Sequence, residues 1–501
     1  MSRSLRSRRD RSGSRDLLSA LPDELLLNVL CYVSCRHTLS VTTRVSRRLG
    51  RLACSSGAYR KEVAFSVSNG TCSVLDRHVC GMRPTFRHVT RLDVRGAPRV
   101  SSLALAESAP HLPSLRALDF SHHPLVDNGA LVEFAKHCPM LSELVLIECP
   151  RITSAGLLLF AQSCQASDLR MSVGNVHYWR RTQTDERPNE LRDAISACTS
   201  LRSLDYQGPV AFDFLPALKP PPPLCSLVNR TVDASDLVIS AARNRDLGEQ
   251  LGSLFGASLQ TLKLALHIGE ERVGSVDSHY FLDALLGQCQ QLRHLALEKW
   301  RLPANMALVT PTLESLSLSK SHIPAEVCGR DCSLVSMFAA DRYPRLRSLD
   351  LSHCVGLTSA ALAAVAPRLA HLTTLRLTGL GLCSGAHASD MAAALSSFGA
   401  SLLHFDAGST GAGDELCDAV AAHCPRLERL SLARCTRVTD AGLRRLAAGC
   451  VRMRRLDLTR CGRVTDAGVT ALARAMPLMR RANLILLRCT QIRQGDMLLR
   501  E

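Results

Sequence analysis

Large aromatic side chains are scarce in this 501-residue sequence: phenylalanine, tyrosine and tryptophan make up 4% of it, although 46% of residues are hydrophobic. Its core must be filled by leucine, alanine, valine and cysteine, the composition that a stack of small repeating units produces. No apolar run is long enough to cross a bilayer as a helix, so no membrane partner is expected. Met1 to Arg9 is charged and lacks the apolar core of a secretory signal. Also missing are a Gly-Lys-Ser/Thr phosphate loop, a His-Glu-x-x-His metal helix and a Gly-x-Ser-x-Gly nucleophile turn. Gly379-Leu380-Gly381 is a lone glycine pair in a loop, not a dinucleotide fingerprint. The chain is therefore read as non-enzymatic, with no catalytic or metal-ligating residue and no cofactor. Lysine is rare too: six of the 61 basic residues are lysine and the rest arginine, a bias that coding composition alone can produce.

What the sequence does contain is repetition. Leu427-Leu430-Leu432-Cys435 leads into Val438-Thr439-Asp440-Ala441-Gly442, and Met453-Leu456-Leu458-Cys461 leads into Val464-Thr465-Asp466-Ala467-Gly468, 26 residues later. The same register stands at Val89-Leu92-Val94, Leu115-Leu118-Phe120, Leu141-Leu144-Leu146-Cys149, Leu346-Leu349-Leu351-Cys354 and Leu372-Leu375-Leu377. Weaker copies begin at Leu201, Leu259, Leu292, Leu313 and Leu402. Leucines at every second residue predict short strands with one buried face. After the strand the period changes to i, i+3, i+4, i+7, as in Leu131-Phe134-Ala135-Cys138 and Leu443-Leu446-Ala447-Cys450, which predicts a helix with one apolar stripe. Asp127, Ser154, Ser359, Asp414 and Asp440 are the expected helix caps. A unit of strand, turn and helix near this length marks a solenoid in which each unit buries its apolar side against its neighbours.

These residues resemble the cysteine-containing class of leucine-rich repeats. The resemblance implies an α/β horseshoe with parallel strands on its concave side and helices on its convex side, spanning 89–501. Between 165 and 345 the pattern loosens around a polar insertion at His177 to Asn189, a proline run at Pro220 to Pro223 and a loop at Gly269 to Ser278. Such loops on a rigid scaffold are places where specificity can reside.

The 21 cysteines fit the repeat better than a disulfide or metal framework. Cys149, Cys354, Cys435, Cys461 and Cys489 fill the slot after the strand, and Cys138, Cys164, Cys424 and Cys450 the last apolar slot of a helix, where a thiol acts as a small hydrophobe. Cys31/Cys35 and Cys328/Cys332 have no second ligand pair at zinc-site spacing. His122 and His123 at the end of a repeat strand read as structural or solvated. Free thiols in this number point to a reducing compartment, cytoplasmic and/or nuclear.

Ahead of the repeats, 19–62 begins Leu21-Pro22-Asp23-Glu24, with proline suited to a first helical turn and acids that complement its dipole. Leu25, Leu26, Val29, Leu30 and Val33 form one stripe; Val45, Leu49 and Leu52 form another with arginines opposite. Helices this short cannot bury so much surface among themselves, so a partner is expected. The segment resembles an F-box, although the family usually has Trp at the positions of Leu49 and Tyr59. An F-box followed by leucine-rich repeats is similar to a substrate receptor of an SCF-type cullin–RING ubiquitin ligase. The resemblance implies that Leu21, Pro22, Leu25, Val29, Leu30, Leu39, Val45 and Leu49 dock a Skp-type adaptor and, through it, a cullin, while the repeats hold an unknown protein substrate. The alternatives are a capping unit at 19–62 and a non-ligase interaction scaffold of cytoskeletal or axonemal type.

Domain by domain, 1–18 reads as a disordered basic tail, 19–62 as the F-box, 63–88 as a linker or N-terminal cap, and the remainder as the solenoid. Residues 426–501 hold 17 arginines and six acids. Arg434, Arg460 and Arg488 share the slot before the post-strand cysteine, so neighbouring strands would stack them about 5 Å apart as a candidate anion or substrate edge. Without aromatic side chains in that stretch, nucleic acid is a poorer fit than an acidic protein segment.

Overall fold

In the computed structural model the described residues are 22–23, 25–26, 62–64, 87–164, 166, 168–174, 195–207, 222–233, 241–267, 278–300, 302, 310–323, 333–338, 342–381, 387–476 and 483–492. The basic tail, most of the F-box stretch, and the greater part of the insertions at His177 to Asn189, Pro220 to Pro223 and Gly269 to Ser278 lie outside them. So do Cys31, Cys35, Cys328 and Cys332. The chain divides into two compact units, Met1–Leu201 and Arg202–Glu501.

In the first unit, β1 (Glu62–Ala64), β2 (Arg91–Asp93), β3 (Ala117–Asp119), β4 (Glu143–Ile147) and β5 (Leu169–Gly174) pair in parallel, each with the next in sequence. The pairing of β1 with β2 puts sheet structure upstream of residue 89. Parallel neighbours need a crossover, and α1 (Ser102–Ser108), α2 (Asn128–His137) and α3 (Ser154–Ser163) lie in the intervening segments. The register aligns Leu92, Leu118, Leu144 and Met171, all at most 3% exposed. The helical stripes Leu131-Phe134-Ala135 and Leu157-Phe160-Ala161 are buried as their spacing predicts, and Phe134 meets Phe120 edge-on at 5.5 Å between ring centroids.

The second unit continues the same scheme. Its strands are β6 (Leu201–Gln207), β7 (Ser226–Asp233), β8 (Thr261–His267), β9 (His294–Glu298), β10 (Ser315–Ser317), β11 (Ser348–Asp350), β12 (Thr374–Arg376), β13 (His404–Asp406), β14 (Arg429–Ser431), β15 (Arg455–Asp457) and β16 (Leu484–Ile485). Each is parallel to the next, and one apolar line crosses them: Leu204, Leu227, Leu262, Leu295, Leu316, Leu349, Leu375, Phe405, Leu430, Leu456 and Leu484. All eleven are buried, and each contributes on the order of 2 kcal/mol of transfer free energy. The helices here are α4 (Ala241–Phe255), α5 (Ser278–Leu286), α6 (Ser333–Met337), α7 (Ser359–Val365), α8 (Ala388–Phe398), α9 (Asp414–His423), α10 (Asp440–Gly449) and α11 (Asp466–Ala475). Both units thus have the α/β repeat architecture expected of leucine-rich repeats.

Helix entry differs from the sequence expectation in an informative way. Asp127 is a cap, but Thr153, Thr358, Gly413 and Thr439 take the cap positions expected of Ser154, Ser359, Asp414 and Asp440. The threonine hydroxyl accepts from the helix, as Thr439 does from Ala441 N–H at 3.2 Å, which frees the following aspartate for the next repeat. Asp414 accepts from the N–H of Thr439 at 2.8 Å and from its hydroxyl at 2.6 Å, and Asp440 does the same with Thr465 at 2.8 and 2.6 Å. Gly442 and Gly468 leave room for that clamp: a Cβ at either would lie 2.4 or 2.3 Å from the clamping aspartate oxygen. The Thr-Asp-Ala-Gly turn is therefore an interlock between repeats.

The cysteines form a second interlock. Those after the strands donate to a carbonyl of the preceding repeat: Cys149 to Phe120 at 3.1 Å, Cys354 to Leu318 at 3.0 Å, Cys435 to Ala407 at 3.2 Å, Cys461 to Leu432 at 3.1 Å and Cys489 to Leu458 at 3.0 Å. Cys138, Cys424 and Cys450 are likewise buried, whereas Cys164 is half-buried. Burial pushes the thiols of Cys138, Cys149, Cys354, Cys424, Cys450 and Cys461 up to about 12, so they remain protonated donors.

Candidate functional site

Of the adaptor-docking candidates, Pro22 and Leu25 are described; Leu21, Val29, Leu30, Leu39, Val45 and Leu49 lie outside the described residues. The Leu26 N–H donates to the Pro22 carbonyl at 3.1 Å, which closes a first helical turn. Leu26 is buried, whereas Leu25 beside it is 50% exposed.

The basic edge takes its geometry from the turn after each strand. Arg434, Arg460 and Arg488 have φ of 61°, 61° and 60°, in the left-handed region. Their repeat slot is left-handed elsewhere too, at Gly96, His122, Glu148, His353, Gly379 and Ser409. An ordinary residue there costs about 1–2 kcal/mol, offset in part by a hydrogen bond to the next repeat. The Arg434 N–H donates to Thr459 O at 2.7 Å and the Arg460 N–H to Leu487 O at 2.9 Å. The backbone thus holds successive arginines at one point of successive turns, with their side chains exposed.

A second basic row, not singled out from the sequence, crosses the strands themselves. His404 on β13 is in register with Arg429 on β14, which is in register with Arg455 on β15. Each immediately precedes a buried core residue, Phe405, Leu430 or Leu456, and so faces the open side of the sheet. Neighbouring strands set these residues about 4.8 Å apart. Arg429 and Arg455 are exposed, and among the described residues neither they nor Arg434, Arg460 and Arg488 have an ion-pair partner. The Nδ1 of His404 is buried without a hydrogen-bond partner among the described residues. Burial first, then Arg429 and Arg376, hold its imidazole below the usual histidine value. The signal was present in the 26-residue period, since Arg429 and Arg455 occupy the same repeat position as surely as Arg434 and Arg460 do.

Between the rows stand Asp406, Ser431 and Asp457. The half-buried aspartates bond to the turn that follows their strands: Asp406 accepts from Gly408 N–H at 3.0 Å, and Asp457 from Thr459 N–H at 2.9 Å and from its hydroxyl at 2.6 Å. They therefore cap the ends of strands while tempering the positive field.

One cluster superficially resembles a hydrolytic triad. The Ser359 hydroxyl lies 2.9 Å from His387 Nδ1 and donates to Asp390 at 2.7 Å. Ser359 is 2% exposed, and its proton goes to the carboxylate rather than the imidazole, so it is neither reachable nor activated. It is another contact between repeats, with serine in the slot that aspartate fills at Asp414 and Asp440. His122 is exposed and lies 2.7 Å from Glu148, while His123 is fully buried. Among the described residues no group of three or more potential metal ligands comes together.

Residues 18–61 match the family model of the F-box domain, and residues 452–473 match a model of the leucine-rich repeat. The chain is an F-box and leucine-rich-repeat protein. Its F-box match overlies the segment whose Leu-Pro opening and apolar stripes carried the resemblance, and its repeat match falls on β15 and α11. Among solved structures this F-box protein is similar to one from yeast, of the Rad7 and Elc1 complex, with 17% identity, 96% of this chain and 94% of that chain covered, and a TM-score of 0.47. It is also similar to the leucine-rich-repeat-containing protein LegL7 from Legionella pneumophila, with 14% identity, 70% and 86% covered, and a TM-score of 0.30. No curated protein matches the chain.

Proposed function

We propose that this chain is the substrate-recognition subunit of an SCF-type ubiquitin ligase. It docks a Skp-type adaptor through the F-box and a protein substrate through the repeats, promoting the substrate's ubiquitination. The observation that carries this reading is the F-box match at residues 18–61, ahead of leucine-rich repeats. Such a receptor needs no nucleophile of its own, because it acts by raising the effective concentration of a substrate lysine near the charged conjugating enzyme.

Leu21, Pro22, Leu25, Val29, Leu30, Leu39, Val45 and Leu49 are the residues assigned to adaptor docking. Changing Leu25→Asp and Val29→Asp together places two charges where an interface would strip their water, at a cost of several kcal/mol. Expected is loss of adaptor and cullin from the purified complex, with the repeats still folded by circular dichroism. Full retention of adaptor by the double variant contradicts the docking assignment. Collapse of the repeats along with the F-box favours a capping role for that segment.

A further inference from the structure

The strands of the second unit end at β16, whose outer edge carries main-chain groups that inner strands give to a neighbour. On the two repeats before it, Leu432 N–H donates to Asp457 O at 2.8 Å and Arg434 N–H to Thr459 O at 2.7 Å, while Leu458 N–H donates to Ile485 O and Arg460 N–H to Leu487 O, both at 2.9 Å. The same two donors on the last repeat are the N–H groups of Leu486 and Arg488, and among the described residues neither has an acceptor. The apolar slots open in step. Leu432, Leu458, Val438 and Val464 are buried, whereas their counterparts Leu486 and Ile492 are half-buried. Leu487, in the slot of Ala433 and Thr459, is 67% exposed, and Ile485 stands beside Asp457 where the neighbouring strands carry polar residues.

We propose that the outer edge of β16 takes an extended segment of a partner protein as one more parallel strand, with the pattern apolar-x-apolar-x-acidic. The site lies far from the F-box in sequence and stands whether or not an adaptor binds there. The carbonyls of the two x residues accept from the N–H groups of Leu486 and Arg488, in the register that the preceding repeats use. The two apolar side chains then lie beside Leu484 and Leu486 and close the end of the core. Arg488 sets the fifth residue. It is exposed, has no ion-pair partner among the described residues, and shares its left-handed turn slot with His122 and Glu148. Those two meet at 2.7 Å across adjacent repeats, so a carboxylate one strand beyond Arg488 reaches it in the same way. A second copy of this chain is a poorer occupant, because residues 426–501 carry 17 arginines against six acids and two such ends repel. A nucleic acid has no ladder of amide N–H and carbonyl groups to match a strand edge.

The test uses the full chain and the fluorescein-labelled peptide Ser-Ser-Val-Thr-Val-Thr-Glu-Ser, read by fluorescence anisotropy. Methylating the backbone nitrogens of the two threonines, which face β16 in this register, is expected to weaken binding at least about tenfold, whereas methylating those of the two valines, which face away, leaves it within about twofold. Arg488→Glu is expected to lose at least about tenfold for this peptide and to regain it for the same peptide with lysine in place of glutamate. Glu148 shows that the slot accepts glutamate, so the variant keeps its fold. No binding by the parent chain, equal affinity of the two methylated peptides, or an Arg488→Glu variant that treats the glutamate and lysine peptides alike overturns the proposal. So does binding that emerges only when residues 493–501 are removed, which assigns the edge to the chain's own tail. A chain that self-associates by light scattering and excludes the peptide overturns it as well.

Discussion

His123 occupies the slot that Cys149 and Cys461 fill in other repeats, and the exchange has a pH consequence. Its Nδ1 accepts from the N–H of Val126 at 3.1 Å and of Leu125 at 3.3 Å, so the imidazole proton sits on Nε2, which is buried without a partner among the described residues. Desolvation pushes the group down to about 4 from 6.5. Between those values the unfolded chain takes up a proton that the folded chain refuses. The neutral imidazole's contribution is therefore complete above about pH 6.5 and is lost as the pH falls toward about 4. Lowering the pH from about 7.5 to about 5 should cost about 2 kcal/mol through this residue alone. The expected outcome is that His123→Cys, which restores the thiol donor, flattens the pH dependence of the urea midpoint by that amount. An identical pH profile in parent and variant would show that His123 is protonated in the fold.

At the scale of elements, stability lies between neighbouring repeats rather than within them. A three-residue strand such as β14 or β15 has no independent stability, and its leucine line gains its burial from the strands on either side. The aspartate–threonine interlock gives this coupling a measurable form. Asp440→Ala should cost about 1–3 kcal/mol, because the Thr465 N–H and hydroxyl lose their acceptor. In a double-mutant cycle with Thr465→Ala, the two changes should be non-additive by at least about 0.5 kcal/mol in urea unfolding. Additive losses would mean that the two residues act independently.

Much of this was legible at the level of elements because leucine spacing and helical stripes are local signals. The caps were displaced by one residue because a threonine and an aspartate in sequence both suit a cap, and only the neighbouring repeat decides which is needed elsewhere. β5 and β7 carry no legible repeat signal for a similar reason. The first carries Met171 and Val173 in the leucine positions, and the second runs Ser226-Leu227-Val228-Asn229-Arg230 without alternation. Both are held by the strands they pair with rather than by their own pattern. For the site, the 26-residue period marks Arg429 and Arg455 as plainly as Arg434 and Arg460, whereas His404, in a weaker copy of the repeat, needs the strand register to align it.

At the scale of the whole molecule, the proposed function couples two regions that are far apart in sequence: the F-box match near the N-terminus and the leucine-rich repeats that follow it. A receptor of this kind acts by tethering, so its essential property is simultaneous occupancy of both sites. The most direct test of the central claim is the mass, by size-exclusion chromatography with light scattering, of the purified chain mixed with a Skp-type adaptor. The account predicts one stable, stoichiometric complex that persists at micromolar concentration and further takes up a cullin. Elution of the chain at its own mass of 54.5 kDa, with the adaptor separate, would contradict it.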